Sequence, residues 1–297
     1  MDDGQNQRIG KIQLIVAMSI FGSIGLFVRN IPWTSGQISL GRGIVATLFL
    51  FVFGFFIQKS ISWENIKPKL KWLIVVGIIV GLNWILLFQA YKYTTISIAT
   101  ICYYFSPVAI MFLSPFFLKE RLTVVKILCV FIALGGMILI VGAEGAGGAS
   151  LIGIIYGLSA AFFYTMGVLI NKSLDTISGM EKSFVEIAVA AIFLVPYVLI
   201  TDGIHIAEIT LQAIIIVLIL GIVHTGITYV LFFSALQRLK AQTVAVLSYI
   251  DPVTAICLSW VFLNESMTLA QVTGGVLVLG ATLINEMYER KCAKRDA

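Results

Sequence analysis

The chain has 297 residues, of which 59% are hydrophobic and 12% are charged, and its formal net charge is +5. In a soluble domain of this size about a quarter of the residues are charged. The low charged fraction excludes a soluble enzyme, a disordered protein and a secreted disulfide scaffold, and it predicts a helical protein that crosses a membrane several times.

Ten apolar segments follow one another along the chain, each close to the length of about 20 residues that one membrane crossing needs. None has the polar alternation of a barrel strand, so each is predicted to be a helix. The first follows Arg8 and Lys11 but has no small-x-small cleavage site, so we interpret it as an uncleaved span. The predicted spans are 12–29, 38–58, 69–91, 96–118, 122–142, 150–172, 183–201, 209–236, 241–263 and 268–288.

The basic residues predict the orientation of these spans. Ten spans place both termini on one side, and seventeen of the 20 Lys and Arg residues lie on that side. Arg29 and Lys92 lie on the opposite side, and Arg42 lies inside the second span. Because cytoplasmic loops collect Lys and Arg, we expect a multi-pass protein of the cytoplasmic membrane with both termini in the cytoplasm.

Two glycines of the third span, Gly77 and Gly81, lie four residues apart on one helix face. Small residues at this spacing let a neighbouring helix come close. We therefore predict a tight helix contact at this face.

The two halves of the chain repeat each other at a constant distance of 145 residues. The matching pairs are Phe88 and Phe233, Ala90 and Ala235, Tyr104 and Tyr249, Pro107 and Pro252, Val108 and Val253, Leu118 and Leu263, Glu120 and Glu265, Thr123 and Thr268, and Gly135 and Gly280. A weaker match at nearly the same distance pairs Phe21 and Gly25 with Phe163 and Gly167.

Each half, 1–145 and 146–297, therefore has five predicted spans. Because five is odd, the second copy is inverted in the membrane relative to the first. Inverted repeats are typical of secondary transporters, whose binding site lies near the midplane between the halves.

These repeated segments resemble the EamA repeat of the drug/metabolite transporter superfamily. The resemblance is strongest at residues 87–94, 104–107, 118–123 and 135–136, and again at 232–236, 249–252, 263–265 and 280. It implies ten helices in two five-helix repeats and the transport of small metabolites, often amino acids or amines and often outward. Phe21 departs from the Trp that many members carry, and Asp251 stands where the first repeat has Ser106.

Asp251 is the first candidate for the site, because ionisable side chains at membrane depth are costly and mark function. It lies near the middle of the ninth span, directly before Pro252. Its carboxylate could bind a substrate ammonium or carry a proton, or it could be a buried carboxyl that only bonds to neighbouring helices. Pro107 and Pro252 predict helix kinks, at which a rocking transporter could bend.

Polar and aromatic residues of the central spans are the remaining candidates for substrate binding. The tyrosines could hold a cationic group through cation–π contacts, or they could pack against neighbouring helices. His224 could carry a proton, or it could be neutral and bonded to a hydroxyl such as that of Thr225 or Thr228. The candidates are Asn83, Trp84, Gln89, Tyr103, Tyr104, His224, Tyr229 and Tyr249.

Arg42 and Glu186 occupy aligned positions, but the inversion places Arg42 near the outer face and Glu186 near the cytoplasmic face. Each could snorkel towards water, or it could serve gating or coupling at one entrance of the cavity. We do not expect the two to be partners.

Together these features predict a secondary transporter that moves a small polar metabolite, an amino acid or amine, outward by alternating access. The alternative is uptake of a quaternary ammonium compound such as choline through an aromatic-lined site. The expected partners are the substrate and the lipid bilayer, with protons as the candidate coupling ion.

Other classes of protein fit the sequence less well. An intramembrane enzyme is not expected, because the H-E-x-x-H and G-x-S-x-G motifs are absent and the histidines are His205 and His224 alone. Few charged positions are available to line an ion channel. The sequence has no basic patch interleaved with aromatic residues, so binding of nucleic acid is not expected. No metal or other cofactor is predicted.

Overall fold

The computed structural model describes residues 3–28, 31–57, 61–94, 96–120, 122–142, 150–203, 210–263 and 268–296. Within these ranges the regular structure is helical and contains no strand. Two π-helical segments, Val52–Ile57 and Leu220–Ile227, and a 3-10 turn, Lys67–Lys69, lie between α-helices. The α-helices are α1 (Asp3–Gly22), α2 (Ile24–Val28), α3 (Ser35–Phe51), α4 (Trp63–Ile66), α5 (Leu70–Tyr93), α6 (Ile96–Tyr103), α7 (Ser106–Leu118), α8 (Val124–Gly142), α9 (Leu151–Ser173), α10 (Gly179–Thr201), α11 (Leu211–Ile219), α12 (Thr228–Arg238), α13 (Ala241–Leu247), α14 (Ile250–Leu263) and α15 (Leu269–Asp296).

Seven helical segments of the described residues are long and apolar enough to cross a membrane. They coincide with the predicted spans 1, 2, 3, 6, 7, 8 and 9. Shorter apolar helices, Ser106–Leu118, Val124–Leu139 and Val272–Asn285, lie in the predicted spans 4, 5 and 10. The protein is therefore an all-helical, multi-pass membrane protein.

Capping boxes start the helices of the second and seventh spans. The main-chain N–H of Gln37 donates to the Thr34 hydroxyl (3.2 Å), and the main-chain N–H of Thr34 donates to the side-chain oxygen of Gln37 (3.0 Å). Ser178 and Glu181 repeat this arrangement at 3.2 and 2.9 Å. Because a capping box satisfies the free amides of the first turn, the seventh span begins at Gly179, four residues before the predicted start.

Each of the spans that contain the aligned prolines is broken into two helices. A turn at Tyr104–Phe105 separates α6 from α7, and a turn at Ser248–Tyr249 separates α13 from α14. Pro107 and Pro252 each lie in the first turn of the second helix, where the missing amide hydrogen leaves no bond unmade. The predicted kinks are thus present as helix breaks.

The two halves interlock across the molecule. Helix α5 packs against α9 and α10, α1 packs against α12 and α14, and α8 packs against α15. A Cβ atom on Gly77 would lie 2.6 Å from the Val189 Cβ of α10, and one on Gly81 would lie 2.8 Å from the Phe193 ring. The tight contact predicted from these two glycines is confirmed.

We expect Gly77→Ala to lower the thermal stability, because the new Cβ would also lie 2.9 Å from the Glu186 carbonyl oxygen. Overpacking of this kind costs about 1–3 kcal/mol. Gly135→Ala in α8 is the matched control, since a Cβ there meets no described atom within 4 Å. Thermal unfolding in detergent checks both variants, and an equal loss in both would contradict the close contact.

Polar contacts join the loops at each end of the helices. At one end the Glu120 carboxylate accepts the main-chain N–H groups of Ala241 (2.8 Å) and Gln242 (3.3 Å), so it caps α13. At the other end the Thr34 hydroxyl donates to Asp202 (2.8 Å), whose carboxylate lies 3.9 Å from the Lys92 ammonium. Loops that the charge pattern assigns to one side of the membrane therefore lie together.

Candidate functional site

A central cavity of about 600 Å³ lies between the two halves. It extends from Val28 and Ser35, next to the predicted outer loops, to Val168 and Asn171. Residues that are aligned in the two repeats line the cavity in pairs, so both repeats contribute to its wall. These pairs are Trp84 and Tyr229, Leu87 and Phe232, Phe88 and Phe233, Tyr103 and Ser248, and Ser106 and Asp251.

Asp251 lines the cavity from the first turn of α14, directly after the break in the ninth span. The Tyr104 hydroxyl lies within hydrogen-bonding reach of its carboxylate. A Cβ on Gly22 would lie 2.5 Å from the Asp251 carbonyl oxygen, so only a glycine lets α1 come this close. Broken helices whose ends face a central site are the usual binding elements of transporters with inverted repeats.

Arg42 lines the same cavity from α3. Its guanidinium carbon lies 4.3 Å from the centre of the Trp84 ring, and its Nε has no hydrogen-bond partner in the described part of the chain. The ion pair formed among the described residues joins Lys92 to Asp202 and does not include Arg42. A guanidinium without a carboxylate partner is costly inside a protein, so this position is suited to an anionic group of a ligand.

The aromatic wall links the two charged residues. Tyr103 packs edge-on against Tyr104, with ring centres 5.8 Å apart, and against Tyr164 at 5.7 Å. The same Tyr103 lies within electrostatic range of both Arg42 and Asp251. A ligand in the cavity could therefore meet both charges and the faces of the tyrosines.

Of the other predicted residues, Asn83, Pro107 and Tyr229 also line the cavity, whereas Gln89 and Tyr249 lie behind its wall. The Gln89 amide donates to the Tyr197 hydroxyl (2.8 Å). Tyr249 is fully buried, and its hydroxyl donates to the main-chain oxygen of Tyr104 (3.1 Å). Tyr249 thus supports Tyr104.

Pro252 is buried in the first turn of α14 and is not among the described residues that line the cavity. It marks the helix break next to Asp251.

His224 is buried in the π-helical segment, outside the cavity lining. Its Nε2 lies 2.9 Å from the Ser23 hydroxyl oxygen, and the Ser23 hydroxyl donates to the Ile20 carbonyl (2.7 Å). Because Ser23 has only one hydrogen, the bond needs a proton on His224 Nε2.

The hydroxyl that bonds to His224 is therefore that of Ser23, and not that of Thr225 or Thr228. Thr225 and Thr228 donate instead to main-chain oxygens five residues earlier, Leu220 and Val223. In the π-helical segment the carbonyl five residues earlier lies within reach of each threonine side chain, so both threonine hydroxyls are already occupied.

Glu186 is fully buried in α10 and also lies behind the cavity wall. It accepts a hydrogen bond from the side chain of Asn171 (2.9 Å), a residue that lines the cavity. Full burial excludes snorkelling for this carboxylate.

Sequence reasoning missed several polar residues of the cavity wall. One signal in the sequence could have pointed to the sixth span, namely the weak match of Phe21 and Gly25 with Phe163 and Gly167. All four of these residues line the cavity. Among the described residues, no group of three or more His, Cys, Asp or Glu is arranged to hold a metal ion. The missed residues are Ser35, Ser39, Tyr91, Thr100, Ser106, Tyr164, Asn171 and Ser248.

Comparisons with known proteins agree with this architecture. The model of the EamA-like transporter family matches residues 8–142 and, again, residues 151–286. An "Uncharacterized transporter YxxF" of Bacillus subtilis is 31% identical over 90% of this chain and 86% of its own length. "Protein RarD" of Salmonella typhi is 25% identical over 89% of each chain. A solved crystal structure, 17% identical, superimposes with a TM-score of 0.82 over 93% of this chain and 96% of that one.

Proposed function

The chain belongs to the EamA-like transporter family, and we propose that it exports a small zwitterionic metabolite, an amino acid, across the cytoplasmic membrane by alternating access. It is a membrane transporter. The family resemblance implies the outward direction, and the cavity argues for the substrate.

The presence of two opposite charges on one cavity carries this proposal. Arg42 can bind the carboxylate of an amino acid through two parallel hydrogen bonds. Asp251, with the Tyr104 hydroxyl beside it, can bind the ammonium group. A volume of about 600 Å³ suits a small ligand, since such pockets enclose about 300–1,000 Å³.

The proposed topology has ten spans, repeats at 1–145 and 146–297, and both termini in the cytoplasm. The cavity reaches Val28 and Ser35 near the predicted outer loops. A buried cluster that includes Leu14, Phe232 and Leu236 packs towards the other end. This arrangement supports an outward-facing state, and the matching breaks in the fourth and ninth spans supply the points at which the helices bend.

The second candidate is uptake of a quaternary ammonium compound. The aromatic wall of Tyr103, Tyr104 and Tyr164 favours it, because such cations bind to ring faces. This candidate leaves Arg42 without a role and places a positive ligand in a cavity that already holds one cation. We therefore favour the zwitterion.

Counterflow in proteoliposomes tests the choice. Vesicles preloaded with a mixture of unlabelled amino acids should accumulate a radiolabelled amino acid transiently. The free amino acid should compete with the label far better than its methyl ester, which lacks the carboxylate, and better than choline. If choline and the methyl ester competed as well as the free amino acid, the result would support the quaternary ammonium candidate instead.

A further inference from the structure

A buried polar cluster lies where α9 ends and α10 begins, at the inner limit of the cavity. It consists of Asn171, Lys182 and Glu186, whose exposed fractions are 1%, 0% and 0%. Asn171 lines the cavity, while the two charged residues lie behind it. The roles proposed above for Arg42 and Asp251 make no use of this cluster.

The hydrogen bonds of the cluster are incomplete. The Asn171 Nδ2 donates to Glu186 Oε2 (2.9 Å), and the Lys182 ammonium donates to the Asn171 main-chain oxygen (2.7 Å). Glu186 Oε1 and Asn171 Oδ1 are both buried and have no partner in the described part of the chain. Both oxygens are therefore hydrogen-bond acceptors without a donor.

Glu181, on the same helix, shows how the chain satisfies a buried carboxylate. Its Oε1 accepts from the Ser62 N–H (3.2 Å) and the Asn65 amide (3.1 Å), and its Oε2 accepts from the Ser178 N–H (2.9 Å). Both oxygens thus have donors. The contrast indicates that Glu186 is built for a donor that comes and goes.

The charges around Glu186 do not supply that donor. Lys182 precedes it by one turn of α10, but its ammonium lies outside ion-pair distance in the described residues and binds the Asn171 carbonyl. Tyr229 of α12 is within electrostatic range. Gly77 of α5 lies against the Glu186 main chain, and Arg42 of α3 forms no ion pair with Glu186.

At the end of α9, the Lys172 ammonium donates to the Leu236 carbonyl (2.7 Å). It also lies within electrostatic range of Lys182, together with Asp175. Neither residue donates a hydrogen bond to Glu186.

We propose that Glu186 and Asn171 form the proton site that couples transport to a proton gradient, separate from the substrate charges Arg42 and Asp251. A proton on Glu186 Oε1 provides the missing donor and can point at Asn171 Oδ1. Acid and amide are then joined by two antiparallel hydrogen bonds, and every polar atom of the pair is satisfied. The proton comes from water and returns to water, and only the O–H bond forms and breaks.

The position of the pair explains how the proton could be linked to the substrate. Asn171 belongs to both the cavity wall and the proton site, so a substrate that contacts its side chain competes with Glu186 for the amide. Opening of the cavity at this end would separate α9 from α10 and let water reach Glu186. This coupling rests on the proposed transport function, whereas the proton site itself does not.

Infrared spectroscopy of the purified, full-length protein in lipid tests the proton site without any substrate. At neutral pH the infrared band of protonated carboxyl groups, their carbonyl stretch, should be weaker in Glu186→Gln than in the wild type by the intensity of one group. Glu181→Gln is the matched control and should keep that intensity. Asn171→Ala should keep the band but shift it to higher frequency, because the acid carbonyl loses its donor. Identical spectra of wild type and Glu186→Gln would overturn the proposal, because they would mean that Glu186 is ionised at neutral pH.

Accumulation driven by a pH gradient tests the coupling. A gradient of one pH unit supports up to about tenfold accumulation at one proton exchanged per substrate. We expect the wild type and Glu181→Gln to show it, and Glu186→Gln to show none, with any remaining exchange insensitive to the gradient. Full accumulation in Glu186→Gln would overturn the coupling. If the wild type exchanges no amino acid at all, the proposed function fails, and the infrared result still decides the proton site.

Discussion

Arg42→Gln should weaken the binding of an amino acid by about 30-fold or more, because truncating one partner of a buried charge pair costs at least ~2 kcal/mol. The guanidinium lines the cavity over Trp84 and has no carboxylate partner in the described residues. The substrate carboxylate is its proposed partner. The loss should therefore be confined to ligands that carry a carboxylate, and the methyl ester of the same amino acid should compete as weakly with the variant as with the wild type.

Stability separates this role from a structural one. Removing a buried charge that has no partner is expected to leave the thermal stability unchanged or raised. Arg42→Lys is the matched control: it keeps the charge but loses the planar fork that pairs with a carboxylate, so its affinity should lie between those of wild type and Arg42→Gln. An equal loss for amino acid and ester, or a fall in stability, would contradict carboxylate binding by Arg42.

The helical architecture could largely be predicted from the sequence, because hydropathy and proline act locally. Apolar segments of the length of a membrane crossing located the spans, and the aligned Pro107 and Pro252 marked the two helix breaks. The turn at Ser23 and the π-helical segment Leu220–Ile227 had no such signal. Thr225 stabilises that segment through a bond to the Leu220 carbonyl, but a threonine inside an apolar run has the same appearance in an ordinary α-helix.

The sequence predicted a cavity between the two halves, but not the helix face on which each of its residues lies. Asp251 was identified because a carboxylate at membrane depth is costly. Ser248 lines the cavity while the adjacent Tyr249 is fully buried behind it, and this difference depends on how α13 and α14 meet at their break. The sequence contains the two residues but not the angle between the two helices.

Arg42 shows a different limit. Its position near the start of the second span, close to the first loop, places it near the outer face, and this depth led to the prediction of an entrance residue. The cavity itself extends to Ser35 and Val28, so a residue near the outer face can still belong to the central site. Depth along a helix could be counted from the sequence, but the extent of the cavity depends on the packing of α2 and α3 against the second half.

Asp251→Asn should have the broadest effect of any single substitution in the cavity. Asparagine keeps the shape of the side chain and can still bond to Tyr104, but the negative charge is lost. We expect the affinity for both the amino acid and its methyl ester to fall by about 30-fold or more, since both carry the ammonium group that loses its buried partner. Competition in the counterflow assay measures this, and the loss for the ester is the feature that Arg42→Gln should not reproduce.

Two comparisons make this prediction specific. Asp175→Asn removes the same charge from an exposed turn outside the cavity, and its affinities should match those of the wild type. The double variant Arg42→Gln with Asp251→Asn should lose both contacts nearly independently if one substrate molecule bridges the two charges. If Asp251→Asn instead left the affinity for the ester unchanged, the carboxylate would be a buried partner of Tyr104 only, and the ammonium group of the substrate would have to bind to the tyrosine faces.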